Sequence, residues 1–303
     1  MLTKFVICFW NYLYMNILRP MYKRILRKWT GQPEILRITY AEAPGAARTR
    51  KIEKSFKWSF TPLLKHLYTA LEVDVTEVVP QVMELKQILP EVHPHFADTL
   101  SISVSQICGY KKLLAKVEAL RKERYDSDND DHETKLLNLW DLMMPGTELQ
   151  QRIWKQWTEI GFQGKDPRTD FRGMGILGLD QLLYLAKVYP NQAKHLLSQS
   201  QHPQYGFSYA IVGINMTDMC YNLLKLKRLR GHFYNLRNDA PELSDFHEVY
   251  CYVFVDFVTF WFDEKPKDIM EFERLKDKYQ KKMMRKLKNR STLLVANFKK
   301  RDS

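Results

Sequence analysis

Residues Trp157 to Ala186 read WTEIGFQGKDPRTDFRGMGILGLDQLLYLA, and five glycines (Gly161, Gly164, Gly173, Gly175, Gly178) with Pro167 fall inside the eighteen residues from Gly161 to Gly178. Each glycine adds backbone entropy to be lost on folding, and most admit positive φ, so this density predicts a shaped loop. Both flanks carry helical periodicity. Upstream, Pro145 and Gly146 break the chain, Thr147 and Gln150 have capping-box spacing, and Leu149, Ile153, Trp154, Trp157 and Ile160 recur at helical intervals, with Gly161 as the stop. Downstream, Leu179, Leu182, Leu183 and Ala186 form an i, i+3, i+4, i+7 stripe that ends before Pro190. The predicted unit is helix, glycine loop, helix. The loop carries Lys165, Asp166, Arg168, Asp170 and Arg172, charges on a backbone able to approach another surface closely. The alternative is that Arg172 pairs with Asp170 or Asp166 and caps a helix end.

Working outward, most long segments keep the helical period, and the chain is read as all-α. Val75 to Ile88 predicts a helix started by Asp74 and closed by Pro90. Ile102 and Val104 alternate with serines as a strand would, but Val104, Ile107, Leu114, Val117 and Leu120 restore helical spacing. Tyr205 to Leu226 is apolar around most of its circumference yet interrupted by Asn215, Asp218 and Asn222, which fits a buried central helix better than a membrane span. Ser244 to Phe262 is too long for a strand and predicts an aromatic-rich helix. Asp268 and Glu271 start a last helix whose stripe is Ile269, Phe272, Tyr279, Met283 and Leu287 beneath many lysines. Gly31 to Pro62, with Pro33, Pro44 and Gly45, shows no sustained period and reads as a connector with short helical pieces lying over the surface.

Composition narrows the partners. The 303 residues are 45% hydrophobic, enough to bury a core, and carry a formal net charge of +12, so a partner should be anionic or present an acidic patch. Cys8, Cys108, Cys220 and Cys251 form no C-x-x-C pair, which suggests neither a disulfide framework nor a zinc ribbon and fits a reducing, cytoplasmic setting. Phe5 to Leu18 (FVICFWNYLYMNIL) is uncharged and aromatic and is followed by Arg19, Lys23, Arg24, Arg27 and Lys28. Fourteen residues are too few for a span of about 20, and a signal peptide would carry its charges on the other side. Residues 1–30 therefore read as a membrane-interface segment, giving peripheral membrane association; a first helix docked on the core is the alternative.

Several chemistries are excluded by context. Asp126, Asp128 and Asp130 open like a calcium loop, but Asp131 stands where its glycine belongs and Leu137 where its bidentate glutamate belongs. A helix cap explains them better. Gly173, Gly175 and Gly178 fit G-x-G-x-x-G, but Thr169 to Arg172 is no buried strand. No G-K-[ST] loop, H-E-x-x-H pair or stacking array for nucleic acid occurs; the lysines from Lys276 onward belong to an amphipathic helix.

The string W-x-x-I-G-F-Q-G-x-x-P-x-T-D-F-R-G-x-G-x-L-G-L-x-x-L-x-Y from Trp157 to Tyr184 resembles the signature of the ELMO domain family in its GTPase-activating branch. The likeness continues through Tyr125 to Asn129 with His132 and Glu133, Gly206 to Asn215, and Asp268 to Phe272, so it covers most of the chain from about Arg37. The short link from His202 to Gly206 is similar to that of members lacking an insertion there, and Leu185 departs from the usual phenylalanine. The resemblance implies one large helical ELMO domain at 125–291, preceded by the membrane-interface segment (1–30) and a helical region (31–124) and followed by a basic tail (292–303). It also implies a GTPase-activating protein for Arf or Arl small GTPases, with Arg172 as the catalytic arginine supplied in trans and Gln163, Gly164, Asp170 and Gly173 as partner contacts. No cofactor or metal is expected in the chain itself, because GTP and magnesium would belong to the partner. The alternative function is a non-catalytic, membrane-associated adaptor; engulfment members of the family lack the arginine.

Overall fold

The computed structural model describes residues 2–298, with the side chains at 2–5, 8, 11 and 15 left out, and the end of the predicted basic tail, 299–303, lies outside the described residues. Among the described residues there is no strand, and the fold is all-α as the periodicity requires. The chain divides into two compact units, residues 1–112 with 233–240, and 113–232 with 241–303.

In unit one, α1 (Leu2–Leu13) passes through a five-residue π-helical turn (Tyr14–Leu18) into α2 (Arg19–Thr30), which ends at Gly31 in the left-handed conformation. The helices α3 (Glu34–Ala41), α4 (Ala46–Lys57), α5 (Pro62–Thr69), α6 (Val75–Lys86) and the first part of α7 (Phe96–Lys122) follow. The short helical pieces expected at 31–62 are present as α3 and α4, but they are core rather than surface: Ile35 and Leu36 of α3 and Ile52 and Phe56 of α4 are buried with Leu64, Leu67, Val82, Phe96, Leu100 and Val104. The missing period has a physical cause. Each helix is only two or three turns long and α4 mixes its apolar stripe with charges, so no window was long enough to reveal it. Fully burying one such side chain stabilises by about 1.5–3 kcal/mol. A polar cluster ties the unit together: Gln106 accepts from Thr49 Oγ1 (2.6 Å) and donates to the carbonyls of Tyr234 (3.1 Å) and Arg237 (2.7 Å). On α1, Val6, Ile7, Phe9, Trp10 and Tyr12 are each more than half exposed, so the helix is not docked on the core by this face.

Unit two holds the rest of α7, α8 (Asp130–Met143), α9 (Gly175–Val188), α10 (Pro190–Ser200), α11 (Tyr209–Lys225), α13 (Leu243–Glu264) and α14 (Phe272–Lys286); α12 (Arg230–Leu236) is shared between the units. Helices α9, α11 and α13 pack on one another and are buried around most of their circumference. Gly213 permits the crossing, since a Cβ there would lie 2.5 Å from Leu182 Cδ2 and 2.9 Å from the Tyr250 hydroxyl. The stripe of α14 is Leu275, Tyr279 and Met283; Ile269, expected in it, belongs to a short 3-10 turn and is exposed. Asn129, not an aspartate, caps α8, accepting from the N–H groups of Asp131 and His132, with Asp130, Asp131 and Glu133 in the first turn. Cys108, Cys220 and Cys251 are buried free thiols.

Candidate functional site

The predicted helix before the glycine loop is not an α-helix. Trp154 is extended (φ −151°, ψ 156°), its N–H donates to the Lys165 carbonyl (2.9 Å), and only Lys155–Ile160 is helical, as a 3-10 segment. Thr147 and Gln150 form no capping box; the Gln150 N–H donates to Gln156 Oε1 (2.9 Å). Apolar spacing misled because Trp157 is held by a tertiary fit, its indole donating to the Arg152 carbonyl (2.8 Å), while Ile153 is exposed. Two of the loop's glycines also belong elsewhere: Gly175 is the first residue of α9 and Gly178 lies within it.

Those glycines seat α9. At Gly175 (φ +55°) a Cβ would stand 2.3 Å from the Glu123 carbonyl oxygen and 2.5 Å from that of Arg121, and the next N–H, of Ile176, donates to Glu123 (2.9 Å). At Gly161 (φ +82°) a Cβ would meet the Tyr209 nitrogen at 2.3 Å, so this turn abuts the start of α11. Of the three glycines in the G-x-G-x-x-G pattern, Gly175 thus serves a helix-to-helix junction, while Gly173 stands in open space.

Between these anchors the exposed turn is built on aromatic rings. Trp140, Trp157, Phe162, Phe171 and Tyr125 form a chain with centroid separations of 5.4, 5.8, 5.6 and 5.4 Å. Phe162, Pro167 and Phe171 are buried, which fixes alternate points along the backbone and leaves Gln163, Gly164, Lys165, Arg168, Thr169, Arg172 and Gly173 exposed. Pro167 begins a 3-10 turn (Pro167–Arg172), and Asp166 caps it by accepting from the Arg168 N–H (3.1 Å). Asp170 Oδ2 accepts from the Gln163 N–H (2.7 Å), closing the loop on itself. Burial pushes the Asp170 carboxyl up, opposed by that hydrogen bond and by the charge of Arg172.

Arg152, which the sequence did not single out, braces the turn from below. Its Nε and Nη2 reach Glu133 Oε2 (2.5 Å) and Oε1 (2.9 Å) as a fork, and Nη1 reaches Asp166 Oδ1 (3.1 Å). Glu133 also accepts from the Tyr125 hydroxyl, and burial with this bond pushes the Tyr125 phenol far above its ordinary value. Tyr125 and Glu133 were part of the motif; Arg152 lies 19 residues from Glu133 with no spacing to betray the pair.

Of the expected site residues, Gln163, Asp170 and Arg172 sit on this one turn with Gly164 and Gly173, and a Cβ at either glycine would meet nothing within 4 Å. Arg172 Nε donates to the Thr169 carbonyl (2.9 Å), and among the described residues no carboxylate pairs with its guanidinium. Pairing with Asp166 or Asp170 is therefore not its state: Asp166 is taken by Arg152 and Asp170 by the Gln163 N–H. Among the described residues no cluster of three His, Cys, Asp or Glu could hold a metal, and no helix is long and apolar enough to cross a membrane. What the turn offers chemically is a fixed, planar, permanently charged donor on an exposed rigid backbone.

The ELMO/CED-12 family profile matches residues 115–276. The chain is 43% identical to mouse ELMO domain-containing protein 1 over 304 residues (95% of this chain, 93% of that protein) and 45% identical to human ELMO domain-containing protein 2 over 279 residues (91% and 94%). It is 34% identical to ELMO domain-containing protein B of Dictyostelium discoideum over 269 residues (87% and 93%). No solved structure matches the chain significantly.

Proposed function

The chain belongs to the ELMO/CED-12 family, and on that premise we propose that it is a GTPase-activating protein for Arf- or Arl-type small GTPases, with Arg172 entering the partner's nucleotide site. The observation that carries this reading is the state of Arg172: Nε is anchored on the Thr169 carbonyl, beside buried Phe171, while among the described residues no carboxylate pairs with the rest of the guanidinium. Phosphoryl transfer builds charge on the γ-phosphate and leaving oxygens, and an arginine supplied in trans raises the rate by roughly 10³ to 10⁵. Holding the side chain by Nε alone leaves both terminal nitrogens to bridge such oxygens. Gly164 and Gly173, with open space around them, remove the bulk that would keep the turn from a neighbour's surface. Gln163 and Asp170 hold the turn's shape and border the contact. The exposed apolar face of α1 supports action at a membrane surface, where it would lie in the interface.

The test is single-turnover GTP hydrolysis by a panel of Arf and Arl proteins. Arg172→Ala and Arg172→Lys should each abolish most stimulation with unchanged far-ultraviolet circular dichroism, and Arg168→Ala should cost far less. Near-normal stimulation by Arg172→Lys would replace the finger by a loop that orders the GTPase's own residues. Binding without any stimulation by the unaltered protein would instead support the adaptor reading.

A further inference from the structure

In unit one a cavity of about 300 Å³ opens beside α2, with the α4–α5 link (Trp58 to Thr61) and the end of α6 in its wall. Arg19, Lys23 and Arg27, on successive turns of α2, line it together with Arg24 and with Lys86 at the end of α6. Against these five cations stands one carboxylate, Glu34, an excess of four positive charges. Glu34 is already engaged by Arg19 Nη2 (3.2 Å), Lys23 Nζ and the Ser55 hydroxyl (2.6 Å). Among the described residues Glu34 forms no ion pair with Arg24, Arg27 or Lys86, although its charge reaches Lys86.

The protein bears a cost for this arrangement. Burial lowers the Lys86 pKa, and the charges of Arg27 and Lys23 lower it further against the opposing charge of Glu34; burial also lowers that of Lys23, opposed by its hydrogen bond and attraction to Glu34, with smaller repulsion from Arg19 and Arg37. Like charges gathered in a concave, partly desolvated site are relieved by an anion. Guanidinium groups favour phosphate because their N–H forks match its oxygens. The volume lies at the lower end of the roughly 300–1,000 Å³ usual for small-ligand sites. The wall also carries aromatic side chains that water does not favour: Phe60 is 83% exposed and Trp58 42%. Met21, Ile25 and Trp29 of α2 are exposed as well, continuing the apolar surface of α1.

We propose that this cavity binds the phosphorylated headgroup of an anionic phospholipid of the phosphoinositide class, with Phe60 and Trp58 entering the bilayer interface beside it. The charge excess selects the phosphate, and the aromatic wall selects a lipid over a free phosphate in solution. Only that second choice leans on the membrane-surface reading of α1; neither depends on Arg172.

The full chain is measured on phosphatidylcholine vesicles alone, with phosphatidylinositol monophosphate, and with phosphatidylserine matched for total charge; soluble inositol bisphosphate is titrated separately. The expected result is a clear preference for the phosphoinositide vesicles over the charge-matched ones. Arg27→Gln with Lys86→Gln should weaken that binding about 30-fold, taking about 1 kcal/mol per basic residue. Lys281→Gln with Lys288→Gln, exposed near the end of α14, should leave the preference intact. Phe9→Ser with Trp10→Ser should weaken binding to every vesicle and preserve the preference; if it weakened none, the reading of α1 would fail and the cavity assignment would stand. Equal binding to the two charge-matched vesicles, or an unaffected Arg27/Lys86 variant, would overturn the proposal. Binding of the soluble bisphosphate as tight as that of the vesicles would overturn the lipid as its source.

Discussion

Replacing Arg152 by methionine keeps much of the stem's packing and removes only the guanidinium, so it isolates the brace beneath the candidate site. The side chain is 25% exposed, and its partners Glu133 and Asp166 are 20% and 31% exposed. Removing one partner of a fully buried pair costs about 3–5 kcal/mol, and an exposed pair contributes about 0–1 kcal/mol. This pair is forked and three-quarters covered, but solvent reaches it, so the expected loss is about 2–3 kcal/mol. Most of that is the cost of two carboxylates left without their counter-charge. Denaturant unfolding followed by tryptophan fluorescence reads it directly, because Trp140 and Trp157 belong to the ring chain resting on Tyr125 and Phe171. Amide exchange gives the local part: the N–H groups of Trp154 and Arg168, which bond to Lys165 and Asp166, should lose protection first. Arg172→Ala, whose exposed side chain donates to the Thr169 carbonyl, should change stability by less than about 0.5 kcal/mol. A loss below about 0.5 kcal/mol for Arg152→Met with unchanged exchange would refute the bracing role, and the turn's shape would then rest on its aromatic side chains alone.

Gly175→Ala should destabilise by at least about 1–3 kcal/mol, since φ is +55° and the added Cβ would meet three carbonyl oxygens of α7 and its end; a melting temperature equal to the parent's would contradict this. Gly173→Ala, with φ in the ordinary range and open space, should melt normally and lower only stimulated hydrolysis, so full activity would remove Gly173 from the contact. Burial lowers the pKa of His232 and His247 to about 4, against about 6.5 in the unfolded chain. Above pH 6.5 neither state binds the proton. As pH falls from 6.5 toward 4 the unfolded state takes it up and the folded state does not, so stability should drop by roughly 2 kcal/mol per histidine by pH 5. Urea midpoints at pH 7 and pH 5 measure the drop, and a slope unchanged by substituting both histidines with glutamine would assign it elsewhere.

Periodicity alone determined the helices whose burial repeats over four turns or more. α7, α11 and α13 were legible because each apolar face recurs along its own length, and a local signal survives without knowledge of the neighbours. The glycine loop and its charges were legible as composition, and Arg172 through the motif. What only the tertiary structure decided depends on residues far apart in the chain. Ile35 and Phe56 are core because α3 and α4 pack together, although neither helix is long enough to announce its face. The apolar spacing from Leu149 to Ile160 looked helical, but the Trp154 N–H finds a better partner in Lys165, eleven residues on, than an α-helix would offer. Gly175 looked like loop until its contact with the carbonyls of Arg121 and Glu123 made it the entry to α9. The freedom of Arg172 is also decided at a distance. Arg152 takes Asp166 and the Gln163 N–H takes Asp170, and ion pairs and hydrogen bonds formed by chain reversal leave no periodic trace in the sequence.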